Sequence, residues 1–360
     1  MENIKTNQSQ NEINLNEQTI SINDITVNDN QNDNFSNENI SFDSVITNLN
    51  GINNLSNDCF MISTLQCLIH CGDFIRKIFD LDKNSLKGIT KELYNLCITQ
   101  SIKKSNSLSN IKKALNQKKF CDNKQHDSME FGRVLLEQIN KELNTSFDKN
   151  YLEIDYKNLT KIESYKKYKN YMIEQENSIV TNTFYFKTIN IFNCVNCKKE
   201  SYSFQTNLDL PLLLERKEKE TLINLFKNYF KNITVEKICG NCGEKKSTKS
   251  IKFCDIPEIL ILCLQRYNDN NEKNDEIIEF NENLDLREYI DNTLIDSNNT
   301  LYELLSIINH EGNMDFGHYY SYIKINNEWY KFNDKNVNKE NKIKFESNKI
   351  YILYYKRKNK

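Results

Sequence analysis

The amino-acid sequence predicts an α+β fold, and three observations carry that expectation. Apolar residues recur at helical spacing in the first half of the chain. Short runs of β-forming residues take over after about residue 183. Helices come first and strands second, with no alternation between the two.

Taken in order, residues 1–44 are rich in Asn, Gln, Asp, Glu and Ser, with isolated Ile and Leu. Such a segment holds too little apolar surface to offset the entropy of ordering. It is expected to be a disordered acidic, Asn-rich tail. The composition changes at about residue 45. In CFMISTLQCLIHC (59–71), Met61, Leu65, Leu68 and Ile69 fall at helical spacing, and Asn57 or Asp58 stands where a cap belongs. Further helices are expected across 88–140, with SMEFGRVLLEQI the clearest, and helix plus loop across the charged, tyrosine-dotted 150–180. Beyond 183, TFYFKTINIF, SYSFQTNLDL, EILILCLQRY, HYYSYIKI, EWYKFND and KIYILYY read as strands. No internal repeat stands out beyond two CxxC pairs.

Bulk properties exclude several function classes. The chain has 360 residues, of which 38% are hydrophobic, enough for a sizeable core. A net charge of -2 supplies no basic field for nucleic acid. No apolar stretch reaches the roughly 18 residues of a membrane span. The opening MENIKTNQSQNEIN lacks the basic and apolar regions of a signal peptide. The expectation is an intracellular protein, cytoplasmic and/or nuclear, with no nucleic-acid or membrane partner. An odd count of 11 Cys without an export signal argues against a disulfide framework. The terminal KRKNK reads as a solvated charged tail.

Cys59 sits at the start of the first strong helix, where unpaired N–H groups and the helix dipole favour a thiolate. Asn53, Asn54 and Asn57 precede it, and an Asn shortly before a nucleophile can donate to a developing oxyanion. Asp58 opposes a thiolate unless it points away. Taken alone, a buried helix-start cysteine describes this segment better than a nucleophile does. His318 follows Gly317 and opens a strand-like alternation. A strand, a turn and a returning strand would bring Asn333 or Asp334 alongside it, supplying the group that orients an imidazole. His70, His126 and His310 lack such a strand pair.

Cys194-x-x-Cys197 and Cys239-x-x-Cys242, each followed by polar turn residues, match a four-thiolate structural zinc site with each pair at the tip of its own hairpin. Four Cys ligands leave no open position for catalysis. Cys67, Cys71, Cys97, Cys121, Cys254 and Cys263 are expected to be packing residues.

Together these segments resemble the ubiquitin-specific protease family. Gly51, Asn54, Leu55, Asn57, Cys59, Met61, Ser63, Leu65 and Gln66 match its Cys box, while Ser56, Asp58 and Ile62 depart from it. Tyr302, Asn309-His310, Gly312, Gly317 to Tyr322 and Trp329 to Asp334 resemble its His box. Gln125 to Phe131 is similar to its Q-Q-D-x-x-E-F, and Leu264 to Tyr267 to its L-K-R-F. The motifs run in order across roughly residues 50 to 356.

The resemblance implies a papain-like cysteine protease core within a catalytic domain at 45–360. It would comprise a helical thumb (about 50–185), zinc-bearing β fingers (about 190–252) and a β-rich palm (about 253–356). It implies a deubiquitinase acting on ubiquitin and ubiquitinated proteins. Cys59 would be the nucleophile, His318 the base, Asn333 its orienting group, Asp334 an assisting neighbour and Asn54 the oxyanion donor. Asp127 and Glu130 would contact the basic ubiquitin tail, and structural Zn2+ would be the cofactor. A catalytically weak ubiquitin-binding scaffold, motivated by the Cys-box departures, and a protease for a ubiquitin-like modifier are the alternatives.

Overall fold

The computed structural model of the chain describes residues 42–101, 108–146, 154–156, 158–214, 220–268, 270, 272–313, 316–341, 343–344 and 346–358. The expected acidic tail lies outside them up to residue 41. Its expected end at 44 falls inside a helix, α1 (Phe42–Ile46), whose Val45 is buried in the core.

Seven further helices follow. In α2 (Cys59–Ile69) every residue is buried, so the helix runs through the interior rather than along a surface. Asp58 holds its N-cap position without a side-chain capping bond, contrary to the capping role expected from sequence. Its carboxylate instead accepts from Ser56 Oγ at 2.8 Å and pairs with Lys112 at 2.6 Å, so the charge points away from Cys59. Next come α3 (Gly72–Phe79), α4 (Gly88–Ser101) and α5 (Ser109–Leu115). α6 (Ser128–Leu143) starts on an Asp127 cap. α7 (Lys161–Gln175) and α8 (Ile179–Phe184) each start on a capping box, Thr160 with Glu163 and Ser178 with Thr181.

The strand half opens with β1 (Phe186–Cys194), β2 (Glu200–Asn207), β3 (Asp209–Leu213) and the short β4 (Glu220–Thr221). Here the sequence reading missed a helix, α9 (Leu222–Tyr229), capped by Thr221 and buried through Leu222, Leu225 and Phe226. β5 (Ile233–Glu236) and β6 (Lys246–Asp255) complete an antiparallel sheet in the order β2-β1-β6-β5. Each CxxC pair sits at the tip of one of its hairpins, as expected.

The remaining strands are β7 (Ile259–Gln265), β8 (Ile278–Glu279), β9 (Asn283–Asp285), β10 (Leu301–Gly312), β11 (Gly317–Ile325), β12 (Glu328–Asn333), β13 (Asn336–Glu340), β14 (Glu346–Ser347) and β15 (Ile350–Arg357). They form a sheet ordered β13-β12-β11-β10-β15-β7-β3, with β9 beside β10, and a small sheet β14-β8-β4. β15 carries Lys356 and Arg357 within the sheet, so the basic C-terminal stretch begins as strand and not as a free tail.

Period-2 alternation sends the two faces of the large sheet into different cores. Ile308, Ile323 and Tyr354 pack with α2 and the helices; Ile307, Leu353 and Tyr355 pack with β3, α9 and Leu262. Arg266, at the end of β7, is almost fully buried. Its guanidinium donates to four main-chain carbonyls: Ile350 at 2.5 Å, Asn274 at 2.8 Å, Glu276 at 3.1 Å and Ser347 at 3.3 Å. Burial brings its pKa down to about 10.

Leu262 lies in the middle of β7 with no exposed surface. Leu262→Ala is expected to destabilise the domain by about 2–5 kcal/mol, read as a lower urea midpoint at unchanged slope.

Candidate active site

Cys59 is the first residue of α2 and is 4% exposed. His318 is the second residue of β11. α2 packs directly on β11, which sets the His318 imidazole beside the Cys59 sulfur. β11 turns through Asn326 and Asn327, both at positive φ, into β12, which ends at Asn333. The return places Asn333 Oδ1 2.6 Å from His318 Nε2, which donates to it. With Nε2 engaged, Nδ1 is the nitrogen left for the sulfur. Of the two orienting groups expected from sequence, Asn333 takes the imidazole.

Asp334 does something else. It sits at φ 52°, and its carbonyl accepts from Ile52 N at 3.0 Å while Oδ2 accepts from Asn54 Nδ2 at 3.1 Å. Asn54 Oδ1 in turn accepts from Asp58 N at 3.1 Å. The segment before Cys59 is therefore fastened to the turn after Asn333. Gly51 shows how close the two lie: a Cβ there would be 2.3 Å from the Lys335 carbonyl carbon, so only glycine fits.

The electrostatics follow from this geometry. The Cys59 sulfur is the largest influence raising the His318 pKa, from 6.5 to about 9; Asn333 and the Asp334 charge add to it against burial. A protonated imidazole holds a proton ready for a leaving amine.

Asp127 and Glu130 lie on the start of α6. Asp127 Oδ1 caps the helix at Glu130 N, 2.7 Å away, and Oδ2 accepts from the Tyr351 hydroxyl. Glu130 pairs with Lys119 at 2.6 Å on exposed surface. The sequence reading quoted Gln125 without assigning it a role, yet its Oε1 accepts from Gly317 N at 2.7 Å, bridging the α6 entry loop to the residue before His318. It also missed the bidentate Arg133–Asp209 pair, both bonds 2.8 Å. The other histidines have structural partners. His70 lies between the Gln66 and Asn48 carbonyls, His126 pairs with Asp122, and His310 meets the Tyr267 hydroxyl at 3.1 Å and stacks on Tyr319.

The four CxxC sulfurs gather within 4.8 Å of one another, with Cys194–Cys242 and Cys197–Cys239 each at 3.6 Å. A tetrahedron of sulfurs around zinc has edges of about 3.8 Å, so the cluster fits that ion. Asn196 and Asn241 side chains donate to Cys242 and Cys197, the outer contacts that orient thiolate ligands. Cys67, Cys71, Cys97, Cys254 and Cys263 are buried as expected, but Cys121 ends a short 3-10 turn and is exposed, which corrects its assignment to packing.

A family model described as ubiquitin carboxyl-terminal hydrolase matches residues 50–355. This chain belongs to that family. The hydrolase is 27% identical to ubiquitin carboxyl-terminal hydrolase 8 of Saccharomyces cerevisiae, covering 85% of this chain and 70% of the relative. It is 26% identical to human ubiquitin carboxyl-terminal hydrolase 2, covering 85% of this chain and 55% of that one. Among solved structures, a SAGA DUB module of Ubp8, Sgf11, Sus1 and Sgf73 bound to monoubiquitin matches at TM-score 0.70 and 23% identity, over 88% of this chain and 70% of the other. The fold is the thumb, palm and fingers arrangement of a papain-like cysteine protease, and the hydrolase is a cysteine-type deubiquitinating enzyme.

Because the folded His318 pKa lies above its ordinary value, the stabilisation from its partners is complete below about pH 6.5 and is lost as pH rises through about 9. The hydrolase is expected to lose kcat/KM along an alkaline limb near pH 9. Asn333→Ala should shift that limb to lower pH and lower kcat/KM by about 10- to 100-fold. A pH–rate profile on both proteins checks this; an unmoved limb would contradict the orienting role.

Proposed function

We propose that the enzyme hydrolyses the peptide or isopeptide bond after the C-terminal glycine of ubiquitin, with ubiquitin and ubiquitinated proteins as its partners. The observation that carries this reading is the line Cys59, His318, Asn333 at the seam between helix and sheet, with the imidazole beside the sulfur and 2.6 Å from Asn333 Oδ1. Similar structures hold monoubiquitin and ubiquitin aldehyde, and that ligand is carried over here.

In the proposed acyl transfer, the Cys59 thiolate attacks the glycine carbonyl, forming a C–S bond. The oxygen takes the negative charge beside Asn54, whose amide is oriented by Asp334 and by Asp58 N. His318 gives its proton to the leaving amine as the C–N bond breaks. The neutral imidazole then takes a proton from water, whose hydroxide cleaves the thioester and frees the carboxylate and the thiol. Glu130, exposed and ion-paired with Lys119, is proposed to exchange that lysine for an arginine of the ubiquitin tail. Asp127 acts from the same helix start while capping it. Cys194, Cys197, Cys239 and Cys242 are proposed to hold structural zinc, which would tie the two finger hairpin tips together.

Membrane attachment through a spanning helix finds no support: among the described residues no helix is long and apolar enough to cross a bilayer.

Cys59→Ala is expected to abolish cleavage of a ubiquitin C-terminal amide while ubiquitin binding, measured by calorimetry, persists. A ubiquitin vinyl-electrophile probe should label Cys59 in the unmodified enzyme. Failure to label would favour a binding scaffold, and preferential labelling by the probe of a ubiquitin-like modifier would reassign the substrate. For the metal, one zinc per chain is expected by elemental analysis, and Cys197→Ser should lose it and lower the melting temperature. A zinc-free native protein would overturn that assignment.

A further inference from the structure

The outer torsion of a histidine side chain is broad, so a single hydrogen bond fixes one ring atom and leaves the ring plane free. Asn333 holds His318 at Nε2, and the ring could still swing about that point and carry Nδ1 off the sulfur. A contact on the ring face removes that freedom. Alternation along β11 puts Tyr320 on the same side of the strand as His318, two residues on. Tyr320 is 5% exposed, and its ring lies within 26° of the imidazole plane at a centroid distance of 6.3 Å, an offset stack.

The tyrosine is itself held by both neighbouring strands. From β12, Lys331 Nζ stands over the ring, 4.1 Å from its centroid. From β10, Glu311 Oε1 accepts the Tyr320 hydroxyl at 2.9 Å and pairs with Lys349 at 2.7 Å. Tyr322 meets the ring edge-on at 5.7 Å. Burial first, and Glu311 after it, push the phenol up, so the hydroxyl stays a donor. Lys349 first, and Tyr320 after burial has opposed it, hold the Glu311 carboxyl below its ordinary value, so the acceptor stays charged. Glu311 is the register partner of His318. The imidazole thus stands among Cys59 from α2, Asn333 and the Asp334 charge from β12 and its turn, His310 and Glu311 from β10, and the Tyr320 ring.

We propose that Tyr320 is a positioning residue of the hydrolase: its anchored ring holds the plane of the His318 imidazole, so that Nδ1 stays aimed at the sulfur while Nε2 stays on Asn333. Tyr320 acts through His318 and not on the substrate. The requirement is for a flat ring, since an aliphatic side chain fills space without presenting a plane. The Glu311 bond is the second part of the device, because it fixes the ring that fixes the base. A small misplacement of a proton-transferring group costs rate more than binding. The inference rests on the deubiquitinase reading above.

Hydrolysis of ubiquitin C-terminal aminomethylcoumarin by the full chain, followed across pH, tests this. Tyr320→Leu is expected to lower kcat about tenfold, the scale of one aromatic pair, with KM within about twofold. Its alkaline limb should move to lower pH, because a misaligned ring loses part of the hold that the sulfur and Asn333 have on its proton. Tyr320→Phe keeps the ring and loses only the Glu311 bond, so its kcat should fall no more than about threefold. Glu311→Ala, at a half-exposed site, should match Tyr320→Phe, the double variant should be no worse than either, and Glu311→Gln, which still accepts the hydroxyl, should stay with the unmodified enzyme. Those substitutions carry the test if Tyr320→Leu fails to fold. Unchanged kcat in Tyr320→Leu, a kcat loss with an unmoved limb, or additive losses in the double variant would overturn the positioning role and leave the deubiquitinase reading intact. An unmodified enzyme inert towards the substrate would sink that reading and this one with it.

Discussion

The packing of one fully buried helix against one strand governs this molecule. α2 has no exposed residue, and its first residue is Cys59, the proposed nucleophile. A helix held on every side cannot rotate or slide without opening a cavity in the core, and interiors at crystal-like density resist that. Cys59 is therefore placed by the burial of the apolar residues that follow it in the helix. β11 is fixed in turn by β10 and β12 on either side. The catalytic contact is short-range chemistry supported by two rigid bodies, with Gly51 and the Asp334 turn as a second joint between them.

The residue pairs that build this centre were legible in the sequence to differing degrees, for physical reasons. Cys59 and His318 could be read only with the family motifs beside them, because a lone helix-start cysteine reads as a packing residue, and the returning strand pointed to Asn333 or Asp334 without choosing between them. The CxxC pairs were legible because a metal knuckle is a local turn. Gln125 with Gly317 and Asp127 with Tyr351 are separated by 192 and 224 positions, and no local pattern marks either partner. α9 was hidden because eight residues carry barely two turns of periodicity and lie among strands. Asp58 looked like a cap by type; its actual partner, Lys112, comes from α5, three helices further on. Cys121 was assigned to packing by residue type alone, although it ends a turn at the surface.

The two cores flanking the large sheet divide the work. The α2 side fixes Cys59 and its immediate partners. The other side, with β3, α9 and β8, supports the strands from behind. The finger sheet leans on neither core for its far tips. There the four sulfurs are grouped by short hairpins, where little apolar surface is available for burial.

Arg266 shows how one side chain can fix geometry without restricting the composition of its neighbours. Its acceptors are the carbonyl oxygens of Asn274, Glu276, Ser347 and Ile350, groups that every amino acid carries. Those four positions are free to drift in mutation while the main chain they belong to keeps its path. The burden of invariance falls on the guanidinium, whose planar fork serves all these acceptors at once in a way that the single point charge of lysine does not.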